Sequence, residues 1–247
     1  MIKDSYNEVF DGKHRIMFVF AHPDDAELYA GGTISRLVAD KKQVCIVKMS
    51  SGNKGSKQQV IREEELTKTR ETEDTKALET LGIKEDNNIY LHISDGDITN
   101  CTEHIGLLSQ QIRLFKPDIV ITHNPEDVII RFDTAINWVN HRDHRNTGQC
   151  AIDACYPYSR DLLFFPEHFK DQKARSHSVS EFLLVDSYGH RDEVFIDITD
   201  YVDNKVAALA CHTSQYNTED AKDSVNFFTK IKGSNKRWER FRYVIAD

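Results

Sequence analysis

Several large protein classes are excluded by what this 247-residue chain lacks. No apolar run approaches the roughly 18–20 residues of a membrane span, and the mean hydropathy is −0.55. The first residues, Met1 to Glu8, are polar and show no apolar stretch of the kind that opens a secretory signal. Basic residues are outnumbered, 32 against 40, leaving a net charge of −8. That balance argues against a nucleic-acid or anionic-membrane surface, which needs a basic face. The five cysteines, Cys45, Cys101, Cys150, Cys155 and Cys211, are odd in number and include no Cys-x-x-Cys pair. A thiolate zinc cluster is thereby excluded, and reduced thiols in a cytoplasmic compartment are expected. Internal repeats and low-complexity stretches are missing too, which removes collagen, coiled coils, disordered tails and disulfide scaffolds.

What is present is an alternation of short apolar runs and amphipathic segments. Ile16 to Phe20, Val44 to Met49, Ile89 to His92 and Ile119 to Thr122 read as strands. Between them, helices are expected after Gly31-Gly32-Thr33, from Arg62 to Leu81 with Gly82 as a stop, and from His104 to Phe115. This order predicts an α/β fold with a doubly wound, mostly parallel sheet and helices on both faces. One domain spanning 1–247 is expected, with a core at 1–156 and further strands and helices at 157–247 completing the site. In the second segment Phe182 to Val185 and Val194 to Ile198 read as strands and Thr199 to Cys211 as a helix. Tyr158 to Ser180 has no period and reads as a long surface loop.

In doubly wound sheets the site lies at the carboxyl ends of the strands. That rule points to Ala21 to Gly32, Ser50 to Gly55, Asp95 to Gly96 and Thr122 to His144. Two clusters there carry chemistry. His22-Pro23-Asp24-Asp25 puts an imidazole and two carboxylates within four residues. His22 and Asp25 are spaced to share a cation, while Asp24, a neighbour with a diverging side chain, faces elsewhere. The plainer reading is a strand end with aspartates capping the next helix. His141-Arg142-Asp143-His144 sets two histidines at another helix entrance. Taken together, the clusters offer three ligands and an open position, with a spare carboxylate and a spare histidine, as a catalytic zinc site does.

The order of motifs resembles the PIG-L/LmbE-like N-acetylglucosamine deacetylases. His22-Pro23-Asp24-Asp25 with Gly31-Gly32-Thr33 is similar to the family's opening motif. Ser51 to Gly55, Arg70-x-x-Glu73, Asp95-Gly96, Thr122 to Pro125, His141 to His144 and His212-x-Ser214-Gln215 follow in the family's order. The resemblance implies a Rossmann-like, metal-dependent deacetylase holding Zn2+, with Fe2+ as the other candidate. By position it makes His22, Asp25 and His144 the metal ligands and Asp24 the general base. A protonated His141 would stabilise the oxyanion, oriented by Asp143. Arg70, Asn124 and His212 would contact the amino-sugar substrate.

The sequence departs from the family at Tyr29, where a small residue is common, and at Arg142, where proline is usual. Its link from Asn124 to His141 is longer, and the apolar residues between Val128 and Val139 read equally as a lid, an aglycone wall or a packed surface insertion. Lys230, Lys232, Lys236, Arg237, Arg240 and Arg242 read as a solvated helix face. Gly52-x-x-Gly55 fits no nucleotide-binding motif. Two competing functions are a non-haem iron oxygenase, which shares a two-histidine, one-carboxylate ligand set, and a non-catalytic sugar binder. The expected partner is a small molecule, with neither nucleic acid nor membrane, and a homo-oligomer stays open.

Overall fold

The computed structural model describes residues 2–56, 61–132 and 136–246. Seven strands form one sheet in the order β3-β2-β1-β4-β7-β9-β8. They are β1 (Arg15–Phe20), β2 (Gln43–Ser50), β3 (Asn88–Ile93), β4 (Ile119–His123), β7 (Glu181–Val185), β8 (Glu193–Asp197) and β9 (Trp238–Ile245). The first five of these in spatial order pair parallel, whereas β9 runs antiparallel between β7 and β8. A separate antiparallel hairpin joins β5 (Ile129–Arg131) to β6 (Asn137–Val139). The helices are α1 (Tyr6–Phe10), α2 (Asp25–Ala39), α3 (Glu63–Thr80), α4 (Thr102–Phe115), α5 (Arg142–Asp153), α6 (Val202–Leu209) and α7 (Thr218–Thr229).

Strand β1 shows why the sheet is covered twice. Successive side chains of a strand point to opposite faces. Ile16, Phe18 and Phe20 enter one core with Ala30, Ile34 and Leu37 of α2. Met17, Val19 and Ala21 enter the other with Ile105, Leu108 and Ile112 of α4 and Cys150 and Ala151 of α5. Each fully buried large apolar side chain contributes about 1.5–3 kcal/mol, so both faces need a helical layer. The strand order reverses between β1 and β4, and a crevice opens at that reversal. No helix among the described residues is long and apolar enough to cross a membrane.

Three expectations need correction or sharpening. The basic stretch near 236–242 is not a helix face. From Trp238 onward it is strand β9, with Trp238, Glu239 and Phe241 buried. Its buried Glu239 accepts the amides of Gly32 (2.9 Å) and Thr33 (2.7 Å) and binds Lys205, tying α2 and α6 to the sheet. The helix expected from Thr199 starts as a 3-10 turn and becomes α6 only at Val202. The stretch 158–180 is pinned rather than loose. Buried Arg113 donates to the carbonyls of Tyr158 (2.9 Å), Ser159 (3.1 Å), Asp161 (2.9 Å) and Phe165 (3.1 Å).

Candidate metal centre and active site

At the crevice β1 ends in a tight turn whose first helical residue is Asp25. The His22 amide donates to Asp25 Oδ2 (2.8 Å), closing the turn. Between them Asp24 adopts φ 96°, a left-handed conformation costing a non-glycine residue about 1–2 kcal/mol. Strain of this kind, held by the surrounding structure, is typical of functional turns. The Asp24 carboxylate lies 3.4 Å from Arg70, and Asp24 and Asp25 both line a cavity of about 280 Å3 with His22, Leu28, Tyr29, Gly55, Arg70, Asp95, His141, His144 and Tyr216. A larger hollow of about 420 Å3 lies beside Arg15 and Gln43, at the amino ends of β1 and β2 and away from these groups.

Asp25 is the hub. Its Oδ2 lies 3.6 Å from His22 Nδ1, and its Oδ1 lies 3.4 Å from His144 Nε2. The imidazoles of His22 and His144 are 5.5 Å apart between centroids, with His141 5.1 Å from the first and 5.3 Å from the second. His22 and His144 recur in the donor clusters at the crevice, which are His22–His141–His144, Asp25–His123–His144 and His22–Asp95–Asp143. Segments some 120 positions apart in the chain therefore meet. The far nitrogens are held by carboxylates. His22 Nε2 faces Asp95 (3.2 Å) and Asp143 (3.5 Å), and His144 Nδ1 faces Asp186 (3.3 Å). Partners of this type fix a ligating histidine's ring and tautomer.

The electrostatics follow from this packing. Burial opposes a charge on His22, but its hydrogen bonds to Asp143, Asp25 and Asp95 outweigh it and hold the pKa well above the ordinary value. His144 likewise overcomes burial through the Asp25 charge and the Asp186 hydrogen bond, and rises to about 9. Burial lifts Asp24 to about 6, against the pull of Arg70 and with the push of Asp25. Asp25, despite burial, is held well below the usual carboxylate range by His144 and His123.

The remaining expected residues fall in different places. Arg70, on α3, is buried and donates to the carbonyls of Pro23 (2.7 Å) and Gly52 (3.1 Å), with Asp24 Oδ1 at 3.4 Å. It lines the cavity as a clamp on two loops. Gly52 is required there: its φ is +65°, and a Cβ would lie 2.1 Å from Arg70 Nη1. Asp143 orients His22, not His141. Its carboxylate turns to His22 and to the Gly96 amide (2.6 Å), while its own amide donates to His141 Nδ1 (3.2 Å). His141 Nδ1 is thus an acceptor, so the ring is neutral with its proton on Nε2, and burial with the charges of His22 and His144 lowers its pKa further. The surroundings therefore disfavour the expected imidazolium.

Asn124 and His212 do not line the cavity. Asn124 spends its amide on Asp127 (2.7 Å) and Ser187 (3.2 Å) and its carbonyl on the Glu126 amide (3.2 Å), shaping the turn after β4. His212 is fully buried, 3.3 Å from Glu27 and clustered with Asp74. The motif around it acts through its neighbours. Glu73 accepts from Thr213 Oγ1 (2.6 Å), Ser214 Oγ (2.7 Å) and the Ser214 amide (2.8 Å), and Gln215 donates to Gly55 (2.9 Å), which fixes Tyr216 against the cavity. His123, Asp186 and Tyr216 had no assigned role in the sequence reading. His123 stacks on His144 (3.9 Å) and binds Asp186 (2.7 Å). Asp186 follows β7 directly, so the strand-end rule applied once more would have found it.

Known proteins resemble this chain in sequence and in fold. A diacetylchitobiose deacetylase of Thermococcus kodakarensis is 25% identical over 85% of this chain and 73% of its own. A 1D-myo-inositol 2-acetamido-2-deoxy-alpha-D-glucopyranoside deacetylase of Segniliparus rotundus is 25% identical over 81% and 77%. In fold, the N,N'-diacetylchitobiose deacetylase of Pyrococcus horikoshii superposes with a TM-score of 0.80 at 24% identity, covering 97% of this chain and 87% of that one. GalB, a 4-carboxy-2-hydroxymuconate hydratase of Pseudomonas putida, superposes with a TM-score of 0.69 at 20% identity over 95% and 97%, so the fold by itself does not decide the reaction. The family model described as GlcNAc-PI de-N-acetylase matches residues 17–155, more than half of the chain. This chain belongs to the PIG-L family.

Proposed function

We propose that the protein hydrolyses the N-acetyl amide of an N-acetylglucosamine-type amino sugar or conjugate, giving acetate and a free amine, with zinc held by His22, Asp25 and His144. The observation that carries this reading is the Asp25 carboxylate reaching both histidines while Asp24 stands beside it in the same cavity. The donor set suits the ion. Asp25 turns Oδ2 towards His22 Nδ1 (3.6 Å) and Oδ1 towards His144 Nε2 (3.4 Å), so imidazole nitrogens and carboxylate oxygens, the donor types zinc takes, face one another here. Nitrogen and carboxylate ligands also suit iron(II), the alternative metal. When bound, the ion supplies a Lewis acid and a water of lowered pKa.

The chain's own residues do the rest. Asp24 takes a proton from the attacking water and returns it to the departing amine. Arg70 keeps that carboxylate in place through the Pro23 carbonyl and its own charge. His141 Nε2–H donates to the oxygen of the former carbonyl as charge develops there. Asp143 and Asp95 keep His22 turned towards Asp25. An iron oxygenase has no use for a free base in Asp24's position. Cytoplasmic residence and a small-molecule rather than nucleic-acid partner complete this reading.

The test is metal analysis alongside amine release from a panel including N-acetylglucosamine and N,N'-diacetylchitobiose. Asp24→Asn should keep its metal while turnover falls by about 10²–10⁴-fold. His144→Ala should lose the metal. Loss of metal in Asp24→Asn would make Asp24 a ligand, and no amine from any N-acetyl sugar would end the proposal.

A further inference from the structure

Three ionisable side chains inside the molecule take no part in the proposed hydrolysis. Glu27 comes from α2, Asp74 from α3 and His212 from the segment after α6. All three are fully buried, and none lines the reaction cavity. Glu27 follows Asp25 by two helical positions, which turns its side chain through about 200°, to the other side of α2.

Their polar atoms are left over in one place. Asp74 Oδ2 accepts from Lys48 (2.6 Å), Asn88 (2.8 Å) and Tyr90. Asp74 Oδ1, both carboxylate oxygens of Glu27 and both ring nitrogens of His212 have no hydrogen-bond partner among the described residues. His212 Nε2 lies 3.3 Å from Glu27 Oε2 without forming a hydrogen bond, and one donor atom from each residue lies within 4.8 Å of the others. A buried polar atom without a partner is costly, a buried charge more so, and native chains carry few of either. Orphans from three separate elements that converge in this way call for a shared partner.

Charge narrows the choice of partner. Lys48 balances Asp74, and the other buried lysine, Lys205, is taken by Glu239, which leaves Glu27 to be neutralised. A proton on His212 and a metal cation are the two candidates. Burial opposes the proton and the charge of Glu27 favours it, leaving His212 above its ordinary value. An imidazolium, however, presents two N–H donors that each need an acceptor in line, and neither nitrogen has one. A cation needs no such alignment. Zinc has no directional preference of its own and takes imidazole nitrogen and carboxylate oxygen together. We propose that Glu27, Asp74 and His212 form a second, structural site for a divalent cation of the zinc type, separate from His22, Asp25 and His144. An ion bound there joins α2 and α3 to the segment that sets Tyr216 against the cavity, and its ligands have no face to solvent.

The experiment counts metal by mass spectrometry in full-length protein produced with zinc in the medium. Wild type should carry about two zinc ions per chain, and His144→Ala and His212→Gln about one each. A second readout uses the wild type alone and so does not depend on a variant that folds. With a colorimetric chelator, zinc should leave in two phases. The ion in the open cavity should come off from the folded protein, and the buried one only when guanidinium unfolds the chain. One ion that survives in His144→Ala and vanishes in His212→Gln would support the buried site while ending the ligand assignment at the reaction centre. A single ion that His144→Ala removes, with all zinc released before unfolding, would overturn the proposal and leave the proton on His212 as the partner of Glu27. Equal metal content in His212→Gln and wild type would overturn it as well.

Discussion

Replacing Gly52 by alanine separates two costs that usually arrive together. The position needs a left-handed backbone, and a Cβ there would sit 2.1 Å from Nη1 and 2.6 Å from Cζ of Arg70. The backbone alone costs about 1–2 kcal/mol. Displacing the guanidinium loses its bonds to Pro23 and Gly52, each worth about 1.5–3 kcal/mol because the donor is charged. With partial relaxation the total comes to about 4 kcal/mol, a large part of the 5–15 kcal/mol typical of a whole protein. For a chain of this size the melting temperature should fall by about 8–16 °C. Gly12→Ala is the control, since Gly12 also has positive φ (+72°) but nothing within 4 Å of a Cβ, and it should cost only the backbone share. Urea unfolding followed by circular dichroism, with excess chelator so that metal adds nothing, measures both. In an Arg70→Ala background the Gly52→Ala cost should drop to the control's value. Equal costs for Gly52→Ala and Gly12→Ala, or no effect of the Arg70 background, would refute the clamp.

Lys48→Met should destabilise by about 3–5 kcal/mol, because it strands Asp74, which is paired with Lys48 at 2.6 Å where both are fully buried. Burial pushes Asp74 up, but the charges of Lys48 and His212 and the hydrogen bonds from Lys48 and Tyr90 together outweigh it and hold Asp74 below the usual carboxylate range. Its contribution is therefore present at neutral pH and lost as the pH falls through that lowered value, which acid titration of wild type against Lys48→Met would follow. Among the thiols, Cys101 should react first with a disulfide reagent, since hydrogen bonds with the His104 amide at the start of α4 lower its pKa. Burial pushes Cys45 and Cys150 up to about 12 and Cys155 higher still, so mass mapping that finds any of these three labelled before Cys101 would contradict the packing.

Much of the parallel half was legible because both faces of its strands are buried, which makes Ile16–Phe20 and Ile119–Ile121 unbroken apolar runs. Strand β9 was not. Its buried Trp238, Glu239 and Phe241 are interleaved with arginines, and the buried Glu239 is paired rather than apolar, so the run reads as solvated charge. The centre divided in the same way. His22 to Asp25 and His141 to His144 are contiguous, and their residue types announce a cation. Asp186 is a lone acid after a strand, and only the fold brings it to His123 and His144. His212 shows the reverse error. A motif fixes that a residue sits near the site, but whether its side chain faces the cavity or the interior depends on packing that spacing does not encode.

The position of β9 has a consequence for how the protein is made. Among the described residues, β8 forms its ladder with β9 alone, aided by one bond from the Ser5 amide. Synthesis delivers β8 about forty residues before its partner, so on the ribosome it has no neighbour to pair with. Closure of that sheet edge, and the seating of α2 and α6 on Glu239, must wait until the last strand emerges. A chain cut before Trp238 should leave the parallel half able to form, with an unpaired edge at β7 that invites association with other chains.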